Sequence, residues 1–144
     1  MNYKDLDTRL EAWSNLRKSL EKSETPLNDV VNFWNQVSLT THNTSIDHYY
    51  PASWPTPWEI IEHNRYDDFT KAIMIGYTLL LTERFKNSVI EIKTLVDKTH
   101  NKLYNVVDIN DLCILNFCDS GPVSHTEIPD SCCIENFVQL DRPR

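Results

Sequence analysis

Residues 54–85 read WPTPWEIIEHNRYDDFTKAIMIGYTLLLTERF and carry the strongest helix signals in the chain. Thr56 can cap a helix, Pro57 suits its first position, and Glu59 lies three residues after the cap. Together they make a capping box with proline at the first helical residue. The polar triplet at residues 63–65 then interrupts the apolar pattern. The stretch therefore predicts a short helix from Pro57, followed by a break.

The second part of this stretch predicts the central helix of the molecule. Asp67 or Asp68 can cap its start. Its apolar positions follow the i, i+3, i+4 rule, at Phe69, Ala72, Ile73, Gly76, Tyr77, Leu80 and Leu81. Met74, Ile75 and Leu79 make the remaining sides apolar, so we expect neighbours on several sides. The apolar run at residues 72–81 is shorter than the roughly 20 residues that span a bilayer, which excludes a transmembrane helix.

The composition limits the class of protein. A chain of 144 residues with 40% hydrophobic residues has room for one domain with its own core. Its two glycines exclude glycine-rich phosphate loops, and its net charge of −7 argues against nonspecific nucleic-acid binding. Residues 1–24 contain no signal-peptide pattern, so we expect reduced thiols in a cytoplasmic product. No cofactor is expected.

Regular patterns on both sides of residues 54–85 complete the fold prediction. Residues 4–22 have an amphipathic helical stripe, and Thr25-Pro26 starts a second helix. After residue 85 the apolar period changes from about 3.6 to about 2, over residues 89–96, 103–109 and 112–117. Short links between these strands favour an antiparallel meander. The sequence thus predicts an α+β fold, in which N-terminal helices and a central apolar helix pack on a three-stranded sheet.

From residue 119 onward the periodic pattern fades. We expect residues 1–118 to form one globular domain and residues 119–144 to form an irregular C-terminal arm, ordered by lying across a neighbouring subunit. The isolated apolar residues of this arm and the aromatic residues near Trp54 predict an interface. Tyrosine and tryptophan are enriched at such surfaces. The predicted interface residues are Tyr49, Tyr50, Trp54, Ile128, Ile134, Phe137, Val138 and Leu140.

The order of a helix followed by a meander is also that of transglutaminase-like and papain-like folds. There, a nucleophilic cysteine opens the central helix, and histidine and aspartate follow on successive strands. His100 and Asp108 lie at plausible places, but the helix opens with Tyr66, Asp67 and Asp68 and has no thiol there. Because a triad needs its nucleophile, the chain is at best an inactive relative of that layout. An enzyme of this kind would have a cleft near His63 and these acids and histidines.

Other reactive residues have structural explanations. Cysteine and histidine are zinc ligands, but no finger or ribbon spacing occurs, so we predict no metal site among Cys113, Cys118, His125, Cys132 and Cys133. Glu59 and Asp67 are interpreted as helix caps, and Glu62 as a solvated side chain. His42 and His48 flank a polar loop, where single histidines are more often hydrogen-bonded than catalytic.

One resemblance concerns the segments WPTPWEII, YDDFTKAIMIGYTLLLTERF, EIKTLVD and LYNVVDI. These resemble segments of small uncharacterised proteins of T4-like and related marine tailed bacteriophages, over about residues 50–117. The resemblance implies a phage-encoded virion component of the neck, tail or capsid. It supplies no catalytic residues.

The function predicted from the sequence is that of a non-enzymatic structural protein in virus assembly, acting through protein–protein contacts. Its partners would be other subunits of a viral particle, in an oligomer or hetero-assembly, without nucleic acid or membrane. Its location would be the virion, or otherwise the cytoplasm. Two alternatives remain open: a small hydrolase or transferase of degenerate papain- or transglutaminase-like layout, and a phage-encoded inhibitor of a host protein.

Overall fold

The computed structural model describes residues 1–41 and 46–144 and has an α+β fold. Within these ranges four α-helices and a four-stranded antiparallel sheet occur, with strand order β3-β2-β1-β4. The elements are α1 (Leu6–Leu20), α2 (Pro26–Trp34), α3 (Pro57–His63), α4 (Asp68–Leu80), β1 (Ile90–Asp97), β2 (Lys102–Ile109), β3 (Cys113–Leu115) and β4 (Cys132–Gln139). The predicted fold class is confirmed, with one strand more than the sequence indicated.

The caps predicted from the sequence fix the starts of α3 and α4. Thr56 Oγ1 accepts a hydrogen bond from the backbone N–H of Glu59 at 3.2 Å, and Glu59 Oε1 accepts one from the backbone N–H of Thr56 at 3.0 Å. Asn64 ends α3 in the left-handed conformation, with φ 53°. Asp67 then caps α4, because its Oδ1 accepts a hydrogen bond from the backbone N–H of Thr70 at 2.8 Å. These caps place Asp68 at the first residue of α4.

Helix α4 is the buried centre of the molecule, as predicted. Every residue of α4 is buried except Asp68 and Tyr77. The hydroxyl of Thr78 accepts hydrogen bonds from the indole N–H groups of Trp13 and Trp34, at 2.9 Å and 3.2 Å, and so joins α1 and α2 to α4. In the described ranges, no helix combines the length and the apolar character that crossing a membrane requires.

The sheet has a helical face, which packs on the helices, and an outer face. Successive residues of a strand point to opposite faces. On the helical face Ile92 of β1 lies opposite Val107 of β2, and both belong to the main core. On the outer face Leu95, Val106 and Ile114 form a second, smaller apolar cluster. Side chains between residues 117 and 132 pack over this cluster, so the chain returns across the outer face before β4.

Strand β4 corrects the expectation of an irregular arm over residues 119–144. It pairs antiparallel with β1, with a shift of register between Thr94 and Leu95, and Leu140 after it is buried in the main core. The register shift interrupts the alternation of side chains, and most side chains of β4 are exposed or half-buried. For these reasons the segment CCIENFVQ has no sustained alternation of apolar and polar residues. Pairing with β1 orders this segment within its own chain, without a neighbouring subunit.

The residues predicted to form an interface fall into two groups. Tyr49, Tyr50, Ile134 and Phe137 are exposed. The others pack partly or fully against their own chain, and they are Trp54, Ile128, Val138 and Leu140. The contact with another molecule stays a prediction.

Candidate functional site

A polar site lies where the N-terminus of α4 meets the helical face of the sheet. Asp68 is the first residue of α4 and is half-buried. The first backbone N–H groups of a helix have no partner inside the helix, and the helix dipole favours a negative charge there. The carboxylate of Asp68 thus occupies a position where the helix itself stabilises an anion.

Two asparagines from the sheet bind this carboxylate. Asn105 on β2 donates to Asp68 Oδ2 from its backbone N at 3.3 Å and from its Nδ2 at 3.1 Å. Asn116, which directly follows β3, donates from Nδ2 to Asp68 Oδ1 at 3.3 Å. The start of the central helix, strand β2 and the residue after β3 therefore each contribute one side chain to the site.

Contacts behind the asparagines fix how they are oriented. Asn105 is buried, and its Oδ1 accepts a hydrogen bond from Thr94 Oγ1 at 3.1 Å, so its amide nitrogen must face Asp68. Asn116 Nδ2 also donates to the backbone oxygen of Asn105 at 2.8 Å. Its backbone is left-handed, with φ 65°, a conformation that asparagine adopts more readily than most residues. The two amides are held as donors toward one carboxylate.

The chemistry of this group differs from that of a thiol hydrolase. A carboxylate and two amides form it, and neither a thiol nor an imidazole takes part in these hydrogen bonds. An asparagine amide cannot accept a proton as a general base. Asp68 already accepts three hydrogen bonds, which reduces its reactivity as a nucleophile. The arrangement can bind a donor or a cation, but it cannot carry out acyl transfer through a thiol.

The histidines and the strand acid proposed for a cleft lie elsewhere. His63 is exposed at the end of α3. His100 lies after β1, with its Nδ1 2.9 Å from Asp97 Oδ2. Asp108 lies on the outer face, three residues after Asn105 and therefore on the opposite side of β2. Of the residues proposed for that cleft, Asp68 lies in the site and Asp67 caps the helix beside it.

Asp97 and His100 form a structural pair. Burial raises the pKa of the Asp97 carboxyl, but hydrogen bonds from the side chain and backbone of His100 and from the Ser131 side chain outweigh it, so the pKa lies below its ordinary value. The backbone N–H of Thr99 also donates to Asp97 Oδ1, at 3.1 Å. These contacts close the turn between β1 and β2.

The acids of α3 have the roles that the sequence predicted. Hydrogen bonds with the Thr56 backbone and side chain lower the pKa of Glu59, as expected of a capping-box carboxylate. Glu62 is exposed.

The four cysteines form no disulfide. Cys113 packs on the main core and Cys132 on the outer-face cluster, and burial raises the pKa of both thiols. Such thiols are poor nucleophiles at neutral pH. Cys118 is half-buried, and Cys133 is exposed on β4.

The remaining histidines of the sequence analysis are His42 and His48. His42 lies outside the described residues. The ring of His48 stacks on Phe69, with ring centroids 3.7 Å apart, so it packs on the first turn of α4.

Sequence reasoning missed Asn105 and Asn116, although Asn105 left a signal. In LYNVVDI the residues Asn105, Val107 and Ile109 share one face of the strand, and Asn105 is the polar one of the three. A polar residue inside a buried strand face needs a hydrogen-bond partner. Asn116 gave a weaker signal, because it follows the short β3.

The fold, in which the N-terminus of α4 meets the antiparallel sheet, can be compared with solved structures. The chain is similar in fold to LapG. Calcium-bound Legionella pneumophila LapG matches with a TM-score of 0.71 and 24% sequence identity, covering 94% of this chain and 77% of that chain. EGTA-treated LapG matches with a TM-score of 0.68 and 25% identity, covering 89% and 71%. No protein-family model matches the chain, and no curated protein matches it in sequence.

This likeness corrects the predicted function. LapG is a calcium-dependent cysteine protease with a transglutaminase-like fold. The prediction of a structural virion component of a phage neck, tail or capsid is therefore wrong, and the alternative of a degenerate papain- or transglutaminase-like layout fits better. The resemblance to phage proteins, the partners and the location stay predictions.

Proposed function

We propose that this chain is a degenerate hydrolase of transglutaminase-like layout, whose site at the start of α4 binds a polypeptide segment without thiol chemistry. The observation that carries the proposal is the group formed by Asp68, Asn105 and Asn116. In that layout a cysteine opens the central helix, and a histidine and an aspartate follow on the next strands. Asp68, Asn105 and Asn116 stand at these three places in chain order.

Each of these three residues lacks one catalytic function of the residue that it would replace in that layout. A carboxylate replaces the thiolate, so the helix N-terminus still faces an anion. An amide replaces the imidazole, so no group takes or returns a proton. A second amide replaces the carboxylate that would orient the imidazole. Binding therefore survives where catalysis does not.

The charge of the site indicates what it binds. Asp68 is half-buried and carries the negative charge of the site, while both asparagines point donors at it. A ligand group that reaches Asp68 from solvent must therefore donate hydrogen bonds, and a lysine or arginine side chain or a chain amine does so most strongly. The proposed ligand is a polypeptide segment with such a group.

Calcium, which one LapG structure contains, does not fit this site. Ca²⁺ takes about six to eight oxygen ligands. At the start of α4, Asp67 Oδ1 already accepts hydrogen bonds from the Thr70 backbone N–H and hydroxyl, and both oxygens of Asp68 accept from amides. The cluster of three potential metal ligands found in the described residues lies on the outer face and includes a histidine. Our proposal therefore contains no calcium-dependent step.

The test compares wild-type protein with Asp68→Asn and with Asp130→Asn, an exposed control. Each is incubated with unfolded casein and screened against a displayed peptide library. We expect no cleavage by any form, and enrichment of basic peptides by wild type and control that falls about tenfold or more in Asp68→Asn. Cleavage by wild type that Asp68→Asn abolishes would overturn the proposal and assign Asp68 to a reaction. Equal peptide enrichment by all three forms would also overturn it.

A further inference from the structure

A second group of polar residues lies on the outer face of the sheet, away from Asp68. Asp108 of β2, Asp111 of the turn before β3, and His125 of the short 3-10 helix His125–Glu127 each place one ligand atom within 4.8 Å of the other two. We propose that these three side chains bind a Zn²⁺ ion or a similar transition-metal ion. This inference does not rest on the proposed function, since it concerns other residues on the opposite face.

The buried carboxylate of Asp108 supplies the first independent observation. Its side chain is 0% exposed, and its Oδ2 is 2.6 Å from Lys93 Nζ. Its Oδ1 is buried and accepts no hydrogen bond from any described residue. A buried carboxylate oxygen without a donor is costly. A cation bound through both oxygens of Asp108 would remove that cost.

The spacing of the three groups supplies the second observation. His125 Nε2 lies 3.4 Å from Asp108 Oδ2 and 3.7 Å from Asp111 Oδ1. Both distances are long for a strong N–H···O hydrogen bond. Two ligands of a tetrahedral zinc ion with bonds of about 2.0–2.1 Å stand roughly 3.3–3.4 Å apart. The side chains therefore converge at a separation that suits a shared ion better than direct bonding.

The kind of ligand selects the kind of ion. One imidazole and two carboxylates suit zinc and related metals, whereas Ca²⁺ takes oxygen ligands alone. Asp111 and His125 are exposed on their outer sides, at 83% and 40%, which leaves room for a water ligand. Lys93 Nζ binds Oδ2, the same Asp108 oxygen that lies 3.4 Å from His125 Nε2, and would hold this oxygen in place for the metal, as hydrogen-bonded partners of metal ligands commonly do.

Local structure holds His125 in position without the metal. Ser124 and Glu127 form a capping box around His125–Glu127, in which Glu127 Oε2 accepts a hydrogen bond from the Ser124 backbone N–H at 2.6 Å. A bound ion would thus tie this turn to the β2–β3 connection and fasten the segment that covers the outer-face cluster. Binding should raise thermal stability, because the ion would bind the folded state.

The test is a calorimetric titration of the full chain with Zn²⁺ and, separately, with Ca²⁺. The variants are His125→Ala and Asp111→Asn, which alter exposed side chains, and the matched control is His100→Ala, which removes another exposed histidine paired with an aspartate. We expect one Zn²⁺ per chain, with affinity lowered about 100-fold or more in His125→Ala and about tenfold or more in Asp111→Asn. The control should bind as wild type does, and Ca²⁺ should not bind to these residues.

The chain also carries four cysteines, which could bind the metal instead. Co²⁺ is therefore used in place of Zn²⁺, because its absorption spectrum distinguishes thiolate ligands from nitrogen and oxygen ligands. We expect visible bands of nitrogen and oxygen coordination and no thiolate charge-transfer band. Absence of Zn²⁺ binding, unchanged binding in His125→Ala, or a thiolate band would each overturn the proposal.

Discussion

At the residue scale, Asp68 would occupy the place of a catalytic thiolate in the layout that we propose. A thiolate and a carboxylate are both anions, so either is stabilised by the N-terminus of α4. The amides of Asn105 and Asn116 complete the hydrogen bonding of the carboxylate, at 3.1 Å and 3.3 Å between heavy atoms.

We expect Asp68→Asn to lower the free energy of unfolding by about 1–3 kcal/mol, because the new amide loses the charge and turns a donor toward other donors. Urea unfolding followed by tryptophan fluorescence measures the change, and Asp130→Asn should stay within about 0.5 kcal/mol of wild type. An increase in stability would instead indicate a strained, functional carboxylate and would contradict our interpretation.

A second prediction at the residue scale concerns Thr78. Its hydroxyl accepts hydrogen bonds from Trp13 Nε1 and Trp34 Nε1, and all three residues are 0% exposed. Thr78→Val keeps the shape but leaves two buried indole N–H groups without an acceptor, so we expect a loss of about 2–4 kcal/mol in urea unfolding. The control Thr99→Val, at an exposed turn, should be near neutral. A loss below about 0.5 kcal/mol would show that the indoles find other partners.

At the element scale, the sequence predicted the helices well and the last strand poorly. Capping residues and a helical apolar period are local, so Thr56, Asp67 and the apolar run of α4 were readable without tertiary information. Strand β4 depends on pairing with β1, more than 30 residues away, and its register shift breaks the period. The site could be predicted only in part for the same reason. The local cap of α4 fixes the position of Asp68, whereas Asn105 and Asn116 are brought to it by the pairing of the strands.

Gly76 links α4 to the end of β4. A Cβ added there would lie 2.5 Å from Leu140 Cδ1 and 3.2 Å from Ile90 Cγ2. We expect Gly76→Ala to lower stability by about 1–3 kcal/mol, because overpacking outweighs the gain in helix propensity. In a Leu140→Ala background the same change should be neutral or stabilising, which a double-mutant cycle in urea measures. Equal effects in both backgrounds would show that Leu140 does not limit this position.

At the scale of the whole molecule, sequences that differ at most positions can form similar folds. LapG and this chain share a fold at 24–25% identity. In this chain the fold depends on a buried helix, formed by the apolar run of α4, and on the pairing of the strands. The residues that would carry chemistry are few and can change without loss of the core. For this reason the sequence supported the fold class but led to a wrong function.

The stability of the whole molecule should depend on pH through Asp97. Its pKa in the folded state is below its ordinary value of about 3.9 in an unfolded chain. The carboxylate therefore contributes stability above pH about 4, and this contribution is lost as pH falls through the folded-state pKa. We expect the stability difference between wild type and Asp97→Asn to be largest at pH 7 and to shrink toward pH 3, measured by urea unfolding. A difference that does not change with pH would contradict this.

The proposed layout can be tested by introducing the three reactive groups of a thiol hydrolase. Asp68→Cys, Asn105→His and Asn116→Asp are combined, and the rate of iodoacetamide alkylation at position 68 is followed against pH by peptide-mapping mass spectrometry. Because a helix N-terminus and a neighbouring imidazole lower a thiol pKa, we predict that this thiol reacts with an apparent pKa well below the ordinary value of about 8.5, and below that of Asp68→Cys alone. A thiol with an ordinary pKa in the triple variant, or one equal to that of the single variant, would show that these positions do not form a hydrolase layout.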